Sequence, residues 1–421
     1  MLSKFLYILK DPDLRRRILF VLGVLVVFRL TAAVPIPGVN LEQLRSFLGS
    51  NQLLGLLNIF SGGALDNLSI AMLGLGPYIT GSIIMQLLTM VFPRFKEMQQ
   101  EEGEAGRQKF NQYSRLLAVP LGMLQGYGLL TLLQRQGILG DLSFAGLMIN
   151  VIIITAGAVF LMWLGELISE YGIGNGVSIM IFAGIVAGLP AGIQRTLFAF
   201  DRTQIPIFAG FALLAVVVIA AIVFITEGER PIPVSYAKRI RGMRMYGGFS
   251  TYLPLRVNQA GVIPIIFALS ILLFPQMIGG LLANSSNAIL KSISDFFLNA
   301  FNNLWLYGSF YFLLVFFFTY FYTAVTFDPE TIANNLQKSG GFVPGIRPGR
   351  STSEFLGHIV NRITLVGALF LSIIAILPFI VQGVTGITTL TIGGTALLIV
   401  VSVVLELMKQ VEGKLVMREY E

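Results

Sequence analysis

The chain has 421 residues, of which 55% are hydrophobic and only 12% are charged. A soluble domain carries about twice that share of charged residues and lacks repeated apolar runs of about twenty residues, so the composition excludes a soluble fold and predicts a membrane protein. The absence of cysteine excludes disulfides and thiolate metal sites, and a single histidine, His358, excludes a multi-histidine metal centre. The formal net charge of +7 fits nucleic-acid binding, anionic lipid or simple topology until the charges are placed.

The first apolar run follows basic residues, as it would in a signal peptide. It extends from Ile18 to about Val34, directly after Arg15-Arg16-Arg17. What comes next is Pro35-Ile36-Pro37-Gly38 rather than a small-residue cleavage site. We therefore interpret the run as a retained first membrane span.

Apolar segments predict ten membrane spans. Each holds about 20 helical residues, enough to cross a hydrocarbon core of about 30 Å. An odd number of spans per half requires the second half to be inverted relative to the first. The predicted fold class is an all-α membrane protein with two inverted five-helix halves, residues 1–200 and 201–421. The span centres fall roughly at positions 25, 83, 124, 158, 185, 216, 268, 314, 370 and 400.

One further apolar piece, about Leu53 to Leu73, precedes the second span and is interrupted by Ser61-Gly62-Gly63. Gly74-Leu75-Gly76-Pro77 separates it from that span. Because glycine weakens a helix and proline removes a backbone donor, the pattern predicts a short re-entrant helix, a hinge and then a full span. Its backbone ends would be unsatisfied in lipid, so protein must enclose it or it must line a wet cavity. This is the first indication of a channel or transporter.

The basic residues predict the orientation. With a cytoplasmic N-terminus, 23 of the 29 Lys and Arg fall in cytoplasmic segments, 5 fall outside and Arg29 lies in the first span. The positive-inside rule then places both termini in the cytoplasm. Arg29 would cost roughly 3 kcal/mol or more unless it is paired or reaches the membrane surface. A position inside the span and a position at its outer edge both fit the sequence.

Two predicted cytoplasmic loops, about Glu227 to Arg256 and Asp328 to Asn361, are unusually long. Loops of this length with Pro, Gly and Arg are typical of ordered docking elements. No nucleotide-binding G-x-x-x-x-G-K-[ST] motif is present, so the chain is predicted not to hydrolyse nucleotide. Gly172-Ile173-Gly174-Asn175-Gly176 superficially resembles a dinucleotide loop, but a tight turn between two spans is the favoured interpretation.

Ionisable residues are scarce within the predicted spans, where only Arg29, Glu166 and Glu406 occur. The two glutamates lie near cytoplasmic edges, whereas ion-coupled transporters usually place such groups near the midplane. No catalytic constellation is evident, and the chain is predicted to be neither an enzyme nor a cofactor-binding protein.

Short motifs occur in order along nearly the whole chain. They are Pro35-Ile36-Pro37-Gly38, Ser61-Gly62-Gly63-Ala64-Leu65, Gly76-Pro77-Tyr78-Ile79, Gln86-Leu87-Leu88, the turn at 172–176, Tyr236-Ala237-Lys238-Arg239, Asn258-Gln259-Ala260-Gly261, Asp328-Pro329-Glu330, Gly345-Ile346-Arg347-Pro348-Gly349 and Gly393-Gly394-Thr395. Together they resemble the SecY family, the pore-forming subunits of the general protein-secretion channel.

The resemblance implies an hourglass pore closed by a ring of aliphatic side chains. An apolar constriction excludes water and ions, and flexible side chains can part around a peptide; ordinary helix packing is the competing interpretation for each ring residue. The ring would comprise Leu75, Ile79, Val177, Ile181, Ile266 and Ile399. A plug, about 58–70, would cap it from outside and include Ser61, Gly62, Gly63, Ala64, Leu65, Asp66 and Asn67.

The resemblance also implies a lateral gate between the second and seventh spans, through which a signal sequence or a membrane span could enter the lipid. Thr80, Gln86 and Asn258 are the candidates for its polar contacts, with simple helix bridging as the alternative. The long loops would dock a SecA motor or a ribosome, because guanidinium groups bind RNA phosphates and acidic surfaces. The docking candidates are Lys238, Arg239, Arg244 and Arg347, and Met243 and Tyr252 depart from the family pattern.

The predicted function is therefore a passive, gated protein-conducting channel of the bacterial inner membrane. The resemblance implies SecE-type and SecG-type membrane subunits as partners, besides signal sequences, nascent polypeptides and lipid. A secondary transporter of a small solute is the alternative, with the interrupted second span as its binding site.

Overall fold

The computed structural model describes residues 11–36, 44, 58, 61–135, 137–140, 143–198, 205–236, 239–241, 244–246, 250–282, 287–292, 294, 296, 303–385 and 393–419. Its named helices are α1 (Pro12–Ala33), α2 (Gly76–Val91), α3 (Pro93–Gln100), α4 (Gly103–Arg135), α5 (Phe144–Tyr171), α6 (Gly176–Phe198), α7 (Ile205–Glu227), α8 (Ile263–Leu282), α9 (Leu304–Thr326), α10 (Pro329–Lys338), α11 (Arg350–Thr385) and α12 (Gly393–Glu419). Its strands are β1 (Glu229–Tyr236), β2 (Arg239–Arg241), β3 (Arg244–Tyr246), β4 (Ser250–Arg256) and β5 (Gly341–Phe342).

The ten predicted span centres lie in ten separate helices, α1, α2, α4 to α9, α11 and α12. Within the described residues, five helical stretches are long and apolar enough to cross a membrane: Gly103–Gln134, Phe144–Tyr171, Ala209–Glu227, Leu304–Lys338 and Arg350–Thr385. α2 has only 16 residues, or about 24 Å of helix. It is short because it starts at Gly76-Pro77 after the re-entrant segment and stops before Pro93. The prediction of a multi-span helical membrane protein is confirmed.

Helix packing forms two groups that meet on two sides. In the first half, α4 packs against α2 and α5, and α1 packs against α5. In the second half, α9 packs against α8 and α11, and α7 packs against α12. Between the halves, α8 contacts α2 and α4 on one side, while α12 contacts α6 on the other. The largest buried hydrophobic cluster lies between these contacts and draws residues from both groups.

From 61 to 75 the re-entrant segment forms consecutive turns, whereas Asn58 is helical; the other residues before 61, where the short helix was predicted, lie outside the described residues. Gly62 and Gly63 have φ angles of +73° and +78°, which a right-handed helix does not allow. Internal backbone bonds satisfy its polar groups, such as Gly63 N–H to Asn58 O at 2.8 Å. Leu65 and Leu68 are fully buried. The segment is thus enclosed by protein, as the sequence required.

Strands from the two long loops join in one small sheet, which the sequence did not predict. β1 pairs antiparallel with β4 from Glu229 to Ser235 and with β5 through Ser235–Phe342 and Tyr236–Gly341. Pro231 and Pro233 lie in the part of β1 that pairs with β4 alone, where their missing N–H groups are tolerated. β2 and β3, which lie between β1 and β4 in the chain, pair with each other as a separate two-stranded sheet. The alternation of buried Ile232 and Val234 with exposed neighbours was the sequence signal for a strand.

The glycine-rich segment 172–176 is a tight turn between α5 and α6, as predicted. Gly174 has a φ of +84°. The Asn175 side chain accepts from Ser178 N–H at 3.2 Å and so caps α6. Gly176 N–H donates to the Ser169 hydroxyl at 2.8 Å, which ties the start of α6 to α5.

Candidate pore, plug and lateral gate

The six ring candidates converge in the largest hydrophobic cluster. Leu75, Ile181, Ile266 and Ile399 are buried in it, and Ile79 and Val177 are partly buried against it. They come from five places in the chain: the residue before α2, α2 itself, α6, α8 and α12. Helices of both halves therefore deliver aliphatic side chains to one buried apolar cluster.

The plug candidates lie between two hydrophobic clusters. Ala64 belongs to the cluster that holds the ring candidates, whereas Leu65 packs into a second cluster with α4 and α5. The Ser61 hydroxyl donates to Asn58 O at 3.0 Å, and Asp66 N–H donates to the Asn58 side chain at 2.9 Å. Gly63, Asp66 and Asn67 are half-buried. Asn58 therefore bonds to both ends of the turn from Ser61 to Asp66.

The plug segment is attached to the residues that follow the C-terminal end of α1. Ile36 N–H donates to Leu68 O at 2.8 Å, and Ile70 N–H donates to Val34 O at 3.0 Å. Pro35 and Ser69 form an antiparallel bridge between these two bonds. A short strand-like pairing thus fixes one end of the segment.

The gate candidates do not form a single network. Thr80 donates to Gly76 O at 2.9 Å and accepts from Gln125 Nε2 at 3.3 Å. Asn258 Nδ2 donates to Gly261 O at 3.3 Å. The buried amide oxygens of Gln86 and Asn258 have no partner among the described residues. Gln125 of α4 is a contact that sequence reasoning missed, although a glutamine inside an apolar run is itself a signal.

The ionisable residues of the spans all have partners. Arg29 donates to the carbonyl of Gly62. Glu166 pairs with Arg115 across the α4–α5 contact, and Glu406 accepts from Gln410 at 3.4 Å. At the membrane edge, Lys409 of α12 pairs with Glu227 of α7 at 2.9 Å. The bonds of Arg29, Glu166 and Lys409 connect different elements, whereas the Glu406–Gln410 bond lies within α12.

The described docking candidates lie in two places, on the β2–β3 hairpin and in the turn after β5. Arg347 is exposed, and its carbonyl accepts from the Thr352 hydroxyl at 2.9 Å. The backbones of Arg239 and Arg244 lie on β2 and β3, where Arg244 pairs with Arg241. Lys238 lies outside the described residues.

A small apolar core connects the two long loops. Its buried members come from β1, from β4, from the residue after β5 and from α11; they are Ile232, Leu255, Val343, Leu356, Ile359 and Val360. Ile346, next to Arg347, packs against this core.

Comparison with known proteins identifies the family. The SecY family model matches residues 69–408. Curated relatives with the name "Protein translocase subunit SecY" include those of Mycobacterium bovis, at 45% identity, and Mycobacterium leprae, at 46%. Both alignments cover 100% of this chain and 99% of the relative. The chain belongs to the SecY family.

Solved structures share the SecY fold. One described as "The structure of a protein conducting channel" has a TM-score of 0.60 at 19% identity and covers 93% of this chain and 90% of that chain. A structure on the plug domain of SecY gives 0.60 at 20% identity with the same coverage. Sec61 from a canine ribosome-channel complex gives 0.58 at 19% identity, again covering 93% and 90%. Their similarity confirms the fold, and the roles of individual residues in the ring, plug, gate and docking surface stay predictions.

Proposed function

We propose that this SecY-family chain is the pore-forming subunit of a protein-translocation channel. It conducts unfolded secretory polypeptides across the membrane and releases transmembrane segments sideways into the lipid. The observation that carries the proposal is full-length membership of a family of translocase subunits. The paired ionisable residues of the spans give the small-solute transporter no support.

The pore is proposed to close at Leu75, Ile79, Val177, Ile181, Ile266 and Ile399. Their convergence in one apolar cluster supports this assignment. Such a constriction blocks ions because water leaves a narrow apolar passage. The plug segment lies against the same cluster through Ala64. The aliphatic ring itself can widen around a peptide through rotamer changes once the plug has moved aside.

The lateral gate is proposed to lie where α8 meets α2 and α4, between the two halves at 1–200 and 201–421. A hydrogen bond between membrane helices contributes about 0.6 kcal/mol on average, and the Thr80–Gln125 bond stays within the first half. Asn258 bonds only within its own turn among the described residues. Few polar bonds therefore hold the gate shut, and an apolar signal segment of 7–15 residues can offset them.

The partners are proposed from the word "subunit" in the relatives' name and from the exposed arginines. SecE-type and SecG-type proteins would complete the complex. A SecA motor or a ribosome would dock on Lys238, Arg239, Arg244 and Arg347. The Sec61 relative from a ribosome-channel complex supports the ribosome as one such partner. The excess of basic residues in the predicted cytoplasmic segments supports an inner-membrane protein with both termini inside.

Photocrosslinking tests the channel. A photoreactive residue at Ile79 or Ile266 is reconstituted with the partner subunits, the motor and a stalled secretory substrate. We expect adducts to the translocating polypeptide that depend on motor and ATP. The control is the same probe at Leu19, which is 59% exposed on α1. Absence of adducts at both pore positions, together with measurable flux of a small solute, would replace the channel with a transporter.

A further inference from the structure

An arginine of the first span reaches the plug segment. Arg29 lies near the outer end of α1, and its guanidinium donates to the backbone carbonyl of Gly62. A hydrogen bond from a charged donor is about twice as strong as a neutral one. An arginine that lost this partner would remain as an unpaired charge within the membrane, which is costly. The preceding residue, Phe28, is only 2% exposed and lies in the cluster that holds the ring candidates.

Gly62 lies so close to two helices that it leaves no room for a side chain. A Cβ on Gly62 would lie 2.8 Å from Phe28 Cζ and 3.1 Å from the Cα of Gly184 in α6. Gly63 has almost the same φ, +78° against +73°, but a Cβ there would meet no described atom within 4 Å. The carbonyl that accepts from Arg29 is therefore fixed by close contact between the plug, α1 and α6.

The plug segment is thus held at two points by the same element. The pairing of Val34 to Ile36 with Leu68 to Ile70 consists of neutral backbone bonds next to the membrane surface. The Arg29–Gly62 hydrogen bond lies at the other end of the plug segment, and its donor is charged. If the pairing persists, the turn between Gly62 and Leu68 can move away from the pore only after Arg29 releases the carbonyl.

We propose that Arg29 is the latch that positions the plug in the closed channel and sets how strong a signal segment must be to open it. This inference rests on the proposed function. A ligand opens a channel only through its higher affinity for the open state. Weakening the closed state therefore lowers the affinity that the signal segment must supply.

The latch can be measured without a substrate, because the chain contains no cysteine. Asn67→Cys in the half-buried part of the plug gives a single thiol on this chain. Its reaction with a membrane-impermeant maleimide is followed in spheroplasts that express the full complex. We expect Arg29→Gln to raise the labelling rate about tenfold and Arg29→Lys about threefold, because an ammonium lacks the forked donors of a guanidinium. Arg17→Gln is the control, since Arg17 also lies on α1 and donates to a carbonyl, that of Gly172, at 3.4 Å.

The plug side of the contact gives an independent variant pair. Gly62→Ala and Gly63→Ala carry a similar backbone penalty, but only the first adds a clash with Phe28 and Gly184. We expect Gly62→Ala to raise labelling well above Gly63→Ala. Both Arg29→Gln and Gly62→Ala should also increase translocation of a substrate with a shortened apolar signal, relative to the intact substrate.

Two results would overturn the latch. One is wild-type labelling in Arg29→Gln, or in Arg29→Lys if the glutamine variant does not accumulate; the other is equal labelling in the two glycine variants. A snorkelling anchor would predict that Arg29→Lys behaves like the wild type. Failure of the wild-type complex to move any polypeptide would instead contradict the proposed function. The labelling assay uses no substrate, so it would still report whether Arg29 holds the plug segment.

Discussion

Glycine allows two helices to meet at the turn between α5 and α6. A Cβ on Gly176 would lie 1.8 Å from the carbonyl oxygen of Gly165, and one on Gly172 would lie 2.5 Å from that of Ile168. These are backbone atoms, which cannot rotate away as the end of a side chain can. Gly176 therefore allows close packing of α6 on α5, which supports the interpretation of this motif as a structural turn.

Alanine at position 176 is expected to destabilise the protein. The added methyl group must displace α6 from α5, and overpacking of this kind costs about 1–3 kcal/mol. The measurement is the midpoint of thermal unfolding of the purified complex. Gly188→Ala in the same helix is the control, because a Cβ there meets no described atom within 4 Å and alanine favours the helix by up to about 1 kcal/mol. Equal midpoints for the two variants would show that the contact is not tight.

The small sheet explains how two loops far apart in the chain form one surface. β1 belongs to the first loop and β5 to the second, and their pairing joins the first loop to the segment of the second loop that leads to Arg347. The core below is separate from the clusters of the membrane region. The unit can therefore be perturbed while the pore is left intact.

Leu356→Ala is expected to loosen this unit by about 2–5 kcal/mol, because the side chain is fully buried in its core. The first measurement is the rate of limited trypsin cleavage of the loops, and the second is ribosome or motor binding to vesicles. Leu365→Ala in the same helix is the matched control, since Leu365 is 45% exposed. Cleavage at the wild-type rate in Leu356→Ala would argue against a cooperative unit.

Arg347→Ala is the complementary variant. It should leave trypsin cleavage elsewhere unchanged and weaken binding about tenfold, as expected for one lost charged contact. If the partner surface is RNA, the number of counterions released on binding, measured from the salt dependence of the affinity, should also fall by about one. Unchanged affinity would remove Arg347 from the docking surface.

The whole protein combines an even number of spans with an uneven charge distribution. Ten helices carry the ten predicted centres, so the chain must end on the side where it starts. We propose that this side is cytoplasmic, because 23 of 29 basic residues fall in segments that would then face the cytoplasm. The proposed orientation would also place the small sheet in the cytoplasm.

Reporter fusions test this topology. Alkaline phosphatase, which is active only after export, should be active when fused after Arg135 and inactive when fused after Tyr246 or at the C-terminus. Fluorescent reporters that fold only in the cytoplasm should give the opposite pattern at each site. An active C-terminal phosphatase fusion would mean an odd number of spans and would overturn the orientation.

The membrane class, the span positions, the tight turn and the enclosed re-entrant segment could all be predicted from the sequence. Each depends on local properties, namely the length of an apolar run, the position of charges, or a glycine or proline. The series of motifs was also enough to predict the family. The position and the partner of Arg29 could not be predicted, because nothing near it in the chain indicates a partner.

Contacts between distant residues were decided only by the tertiary structure. Arg29 and Gly62 are 33 residues apart, and Thr80 and Gln125 are 45 apart. β1 and β5 belong to different loops on either side of two membrane helices. The turns of the plug segment likewise depend on the pairing with the end of α1. Local patterns determine which segments cross the membrane, whereas the packing of those segments determines which polar groups meet, because a buried donor or acceptor bonds with whatever the fold brings within reach.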